Sequence, residues 1–132
     1  MKVSTLPFFF YFGFAFLIAQ GWASYSVSYL FVFLGSFFKS LMDATENENF
    51  FESIFRGKNQ NFWYKRVSWA KAKRIFSYKI DVWHLSQSAW VLCWLCAMKT
   101  HVNLWGWFDI VAHGLFYNFG FWLFYHKIFK IK

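Results

Sequence analysis

A chain of 132 residues has room for one domain. Hydrophobic residues make up 58% of it and aromatic residues 28%, with 21 Phe and 9 Trp; a soluble domain this small leaves too much surface in water to hide so many large rings. The net charge of +8 admits nucleic acid or an anionic membrane surface as partner, and the placement of the charges argues against the first. No charged side chain falls in residues 3–38, whereas nine of the fourteen Lys and Arg lie between Lys39 and Lys79, the pattern of a basic segment resting on anionic headgroups.

The expected class is therefore all-α: an integral-membrane helical bundle of four transmembrane helices with an interfacial amphipathic segment. The uncharged run 3–38 is too long for one crossing of about 20 residues and short for two. Its least apolar stretch, Gln20 to Ser26, suits a tight reversal, so a hairpin is predicted with spans at about 6–19 and 26–42. A competing reading makes the first segment a secretory signal, with Met1-Lys2 as its charged start and Gly21-Trp22-Ala23 as a small-x-small cleavage site; the remaining topology is the same. Two further spans are predicted at 82–98 and 104–125. The connection Lys99 to Asn103 is short enough to force these two into an antiparallel pair.

Four spans with an internal N-terminus place thirteen of the fourteen basic residues inside and only Lys99 outside, as the positive-inside rule requires. The predicted location is a bacterial inner (cytoplasmic) membrane with both termini cytoplasmic. The loop 43–80 is long for a structureless connection, so helices of its own are expected there. Phe50, Phe51, Ile54 and Phe55 recur at helical spacing, and Trp63, Tyr64, Trp69 and Phe76 interleave with Lys65, Arg66, Lys73 and Arg74. That mixture suits either a segment at headgroup level or a solvated cap over the bundle.

Ionisable groups within spans are candidate sites by default. At about 100° per residue Asp81, His84 and Ser88 share one face, expected to point inward, while Trp83, Trp90 and Trp94 fall opposite, expected to meet lipid. Asp109 and His113 are four apart, with Gly106 and Gly120 on their face, and residues 26–42 continue the theme with Ser28, Gly35, Ser36, Lys39 and Asp43. Small residues on such faces let helices approach closely. Sorting by depth gives two sites. Asp43, Asp81, His84 and His126 form an inner cluster, and Asp109 with His113 an outer pair about 18 Å away along an ideal helix.

Carboxylate and imidazole together suit a divalent metal (Zn, Fe or Mn) or a general base with its orienter, acting on a lipid headgroup or lipid-linked substrate. In this reading Asp43, Asp81 and His84 are the catalytic candidates. Two alternatives stand beside it: an Asp–His pair that fixes helix register, with Asp81 capping its helix, and a proton relay. Cys93-Trp94-Leu95-Cys96 resembles the quinone-coupled disulfide-forming oxidoreductases of membranes, which need a second cysteine pair that this chain lacks; packing by small apolar side chains is the other role for these thiols.

Met42-Asp43, Phe51 with Ser53-Ile54-Phe55, Asn61-Phe62-Trp63, Ser68-Trp69, Asp81 to Leu85, and Phe124-Tyr125-His126 together resemble a family of small uncharacterised multi-pass membrane proteins of Bacteroidetes-type bacteria and their phages. The resemblance covers roughly residues 40–126. It implies an architecture and no activity, and it puts weight on Asp43, Asp81 and His84. Asn49 stands near a position where the family pattern has a His, a departure that weakens the implied metal site.

The first functional expectation is a multi-pass inner-membrane protein with an Asp/His site at the cytoplasmic face. The second is a non-enzymatic accessory or assembly subunit, or a phage holin-like protein, whose polar residues serve helix packing; the third is a membrane thiol oxidoreductase using Cys93 and Cys96. Expected partners are membrane lipids with anionic headgroups and either further copies of the chain or a larger membrane complex, without nucleic acid.

Overall fold

The computed structural model describes residues 24–103 and 106–131. Both readings of the N-terminal arm, span and signal, fall outside the described residues. Within them the chain builds three long helices and a folded cap.

Helix α1, Ser24–Ala44, grows from an apolar run interrupted by a single glycine. Its last carbonyls, which have no partner in the helix, are taken up locally. The Thr45 hydroxyl donates to Leu41 and Met42 at 3.0 Å each, and the Asn49 amide donates to the Asp43 carbonyl at 3.1 Å. Asn49 thus closes a helix end. The cap follows as a 3₁₀ turn Asn47–Phe50, helix α2 Gln60–Trp63, helix α3 Lys65–Lys71, and strands β1 Lys73–Ile75 and β2 Tyr78–Ile80. The strands pair antiparallel, Lys73 with Ile80, Arg74 with Lys79 and Ile75 with Tyr78. Helix α4, Val82–Thr100, starts at Asp81, whose carboxylate accepts the His84 amide N–H at 2.8 Å, an N-cap of the preferred residue type. Helix α5, Trp107–Trp122, follows Gly106, which sits at φ +63°, where a side chain would be strained. It runs on without a break into a wide π turn, Leu123–Phe129.

Helix makes up 73% of the described residues, so the class is all-α. The β1–β2 hairpin is an addition that the aromatic and basic pattern of the loop did not signal.

Helix α1 is the central element. It runs antiparallel to α4, with Gly35 opposite Cys93 and Trp90, and parallel to α5, with Ser28 at His113, Ser36 at Gly120 and Ser40 at Phe121. The antiparallel sense predicted for 82–98 and 104–125 is therefore present, with α1 as the element that both pack against. α4 and α5 each pack along α1 and meet one another chiefly through side chains, among them Trp94 with Tyr117 and His101 with His113. The physical reason lies in the glycines. A Cβ on Gly120 would sit 2.1 Å from the Ser36 hydroxyl oxygen and 2.9 Å from the Phe33 ring, so side chains of α1 rest directly on the α5 backbone. At Gly35 the seat for α4 is looser, with Cys93 at an ordinary contact distance of 3.5 Å from where a Cβ would lie.

That seat also reverses the expected facing of α4. Trp90 and Trp94 lie 3.7 and 3.9 Å from where a Gly35 Cβ would be, so this part of the indole stripe faces α1. Ser88 is exposed and lies under the cap instead.

Among the described residues burial is partly inverted relative to a water-soluble fold. Of the ten large or polar side chains most completely enclosed, only Phe50 and Val32 are apolar; Asp81, Asp109, Thr45 and five serines are the rest. Leu92, Leu95 and Met98 on α4, and Trp107, Phe108, Ile110, Val111 and Leu115 on α5, are all more than half exposed. Among the described residues one helix, Ser26–Ala44, is long and apolar enough to cross a membrane. Such a helix also suits the core of a soluble protein or a signal sequence. Helix α4 carries His84, Ser86, Gln87 and Ser88 in its first half, and α5 has 16 residues before its π turn.

The cap has its own aromatic core: Phe50, Phe55, Tyr64 and Phe129 with Ala44, flanked by Phe37, Leu41 and Phe124. Tyr64 stacks on Phe50 and Trp63 on Phe55 at centroid distances of 4.8 and 4.7 Å. The chain's end closes it. Ile54 N–H donates to Phe129 C=O and Ile131 N–H to Glu52 C=O, each at 2.8 Å. Lys130 pairs with Glu52 at 3.1 Å, and that hydrogen bond, followed by the carboxylate's charge, raises the lysine above its ordinary value.

Candidate functional site

Two polar centres hold most of the predicted site residues, one at the cap end of the bundle and one at the far end.

At the cap end, Asp81 is fully buried and caps α4, and its carboxylate oxygens lie 2.8 and 2.9 Å from His84 Nδ1. The three-residue separation brings the imidazole back over the cap, a local geometry any helix start can make. The other imidazole nitrogen is also taken: Trp69 Nε1–H donates to His84 Nε2 at 3.0 Å. An indole N–H can only donate, so Nε2 is unprotonated and Nδ1 carries the hydrogen directed at Asp81. Tyr78 adds a second strap, its hydroxyl donating to the His84 carbonyl at 2.7 Å and meeting the Ser88 hydroxyl. Lys65 ties the same corner, pairing with Glu46 while its ammonium lies 4.0 Å from the centre of the Trp83 ring, a cation–π geometry.

The other predicted members of this cluster stand apart. Asp43 pairs with Lys39 one turn earlier on its own helix. His126 is exposed, with its ring edge-on to Tyr125. Among the described residues no three His, Cys, Asp or Glu side chains converge closely enough to hold a metal ion. The expected inner cluster of Asp43, Asp81, His84 and His126 is thus a local Asp81–His84 pair, with its partners supplied by the cap. Trp69 and Tyr78 were not singled out as site residues in the sequence; they reach His84 from 15 and 6 positions away, through a hairpin.

At the far end, His113 accepts or donates at both nitrogens. Nδ1 lies 2.6 Å from the Asp109 backbone carbonyl, so it carries a hydrogen, and Nε2 then accepts from Ser28 Oγ at 3.0 Å. Tyr29 stacks on the same ring at 4.1 Å. The expected carboxylate–imidazole pairing of Asp109 with His113 is made by a different atom, the main-chain oxygen. The imidazole nearest the buried Asp109 carboxylate is His101, with Nε2 to Oδ2 at 3.9 Å, a residue the sequence pattern left in the connection. His101 and His113 face a mainly apolar cavity of about 320 Å³ between α4 and α5, with Val32 of α1, Trp94, Met98 and Ile110 among its walls.

Cys93 and Cys96 are free thiols. Cys93 is buried against Gly35, where its small size keeps α1 and α4 close.

Comparison with protein-family models, curated proteins and solved structures found no match.

Proposed function

We propose that the chain is a multi-pass helical protein of a bacterial inner membrane, both termini cytoplasmic, serving as a non-enzymatic accessory or assembly subunit. The observation that carries this is the use made of its imidazoles: both ring nitrogens of His84 and both of His113 are occupied by groups of the protein itself. A general base or a metal ligand needs a nitrogen facing its substrate or ion. Those two histidines instead join the cap to α4 and α1 to α5.

The membrane part of the reading draws on the partly inverted burial, since large exposed apolar faces over a partly polar interior suit a lipid solvent. Helix α1, at 21 residues, extends about 31 Å, close to the hydrocarbon thickness of a bilayer. The orientation draws on the basic cap and the basic tail, which lie at one end.

Metal analysis of the detergent-purified chain, beside Asp81→Ala, His84→Ala and Trp69→Phe, tests it. The expected result is no stoichiometric metal in any form. Asp81→Ala is expected to lower stability by about 2–4 kcal/mol through lost cap and imidazole bonds, and Trp69→Phe by about 1 kcal/mol. Stoichiometric Zn, Fe or Mn, lost in the Asp81 and His84 variants, would overturn the reading.

A second reading has its own observation. His101 lies on the cavity wall, 3.9 Å from buried Asp109, an arrangement suited to acid–base work on a lipid or lipid-linked substrate. Loss of a lipid-directed activity in His101→Gln, with unchanged stability, would favour it.

A further inference from the structure

The β1–β2 hairpin departs from what a hairpin in water would choose. Its two turn residues, Phe76 and Ser77, have φ of +48° and +67°, the type I′ arrangement that normally selects Asn-Gly. A bulky residue at positive φ is an outlier. Phe76 is also wholly exposed, at 102% of its reference area, and Ile75 beside it is 49% exposed. Arg74 and Lys79 stand directly opposite one another, where like charges repel. Water leaves the turn strained and the ring unburied, and it only partly screens the facing charges.

Two further facts point outward. Residues 53–80 contain no Asp or Glu, and of their basic side chains Lys65 alone is paired with a carboxylate, that of Glu46, among the described residues. And the Tyr78 hydroxyl is bonded at His84 and Ser88, about 9 Å along α4 from its first residue. The hairpin therefore lies back along the flank of α4, whose exposed apolar side chains begin at Leu85 and continue at Val91 and Leu92.

We infer that this hairpin is a membrane-surface finger: the Phe76 ring enters the headgroup layer of a bilayer carrying anionic lipid, with Lys73 and Arg74 set against lipid phosphates. The inference rests on the membrane reading proposed above and names what the basic cap recognises. Two of these departures, the exposed ring and the facing charges, are answered by that one occupant. The ring leaves water, anionic headgroups screen the Arg74–Lys79 pair, and long basic side chains lay their stems on apolar surface with their charges in the phosphate layer. Lys79 also donates to the Trp69 carbonyl and lies 5.3 Å from the Trp69 ring centre, so the base of the finger is braced.

The test uses the full chain in lipid nanodiscs on a Cys93→Ala, Cys96→Ala background. A polarity-sensitive fluorophore is placed by Ser77→Cys at the tip, Gly57→Cys elsewhere on the cap, or Met98→Cys on the exposed face of α4. Nitroxide lipids labelled near the headgroup serve as quenchers. The tip label is expected to be quenched in discs containing phosphatidylglycerol and to be as wet as the Gly57 label in phosphatidylcholine. Phe76→Gly relieves the backbone while removing the ring, so it keeps the turn and is expected to abolish the quenching. Arg74→Gln is expected to shift the inserted-to-exposed ratio about fivefold, the worth of one basic side chain at an anionic surface.

A tip that stays wet in both lipids while the Met98 label is protected from water-soluble quencher would overturn the finger and leave the membrane reading intact. A Met98 label freely reached by that quencher removes both. Equal quenching in the two lipids, or an equal response to soluble heparin without a bilayer, overturns the assignment to anionic lipid.

Discussion

Gly120 shows how much of this architecture turns on single atoms. With the Ser36 oxygen 2.1 Å and the Phe33 ring 2.9 Å from where its Cβ would lie, Gly120→Ala must displace the Ser36 hydroxyl and the Phe33 ring, and a loss of about 1–3 kcal/mol is expected from overpacking. Pairing it with Ser36→Gly should restore part of that loss, a coupling that a double-mutant cycle in detergent denaturation would read. Gly114, on the same helix, has nothing within 4 Å of the corresponding position. Gly114→Ala is expected to be neutral or to stabilise by up to about 1 kcal/mol through helix propensity. The sequence showed that Gly120 belonged to a small-residue face; which helix came to it, and that Ser36 and Phe33 would fill the space, depended on packing. Asp81 with His84 was legible for the opposite reason, because a three-residue separation at a helix start is local. Trp69 and His101 were not, because their partners come from elsewhere in the chain.

Among the elements, the cap departs furthest from what its pattern suggested. The rings of Phe50, Phe55 and Tyr64 read as an amphipathic surface, and they do face inward, against Phe129 at the far end of the sequence. The hairpin stayed hidden because Phe76-Ser77 carries none of the turn chemistry that marks such a loop. The facing of α4 was open to inversion because a helical wheel separates two faces without saying which is inside; in the fold Cys93, Trp90 and Trp94 lie against α1 at Gly35. The Glu52–Lys130 staple yields a pH test outside the apolar helices. Hydrogen bonding to Glu52 raises the lysine in the folded protein, so its contribution is fully present below the ordinary lysine value of 10.5 and fades as pH rises through the raised one. The pair is exposed, so the effect is small. Thermal melts of wild type and Lys130→Gln are expected to differ at neutral pH and to converge above the lysine range; a constant difference would assign the loss to packing.

On the scale of the described molecule, serines, glycines and two buried aspartates lie between the helices among aromatic rings, many large apolar side chains lie outside, and most basic residues gather in a cap with its own aromatic core. The composition indicated the first half of that description, since 21 Phe and 9 Trp exceed what so small an interior can hold. It did not indicate that one helix would be shared by the other two. Because α4 and α5 are each seated on α1 and barely on each other, the loop joining them carries little of the assembly. A chain severed between His101 and Gly106 and expressed as two pieces is expected to reassociate in the membrane, which co-purification of the fragments would show. The same arrangement sets an order of events during synthesis: α4, which emerges before α5, already has its berth on α1 and need not wait for the last helix.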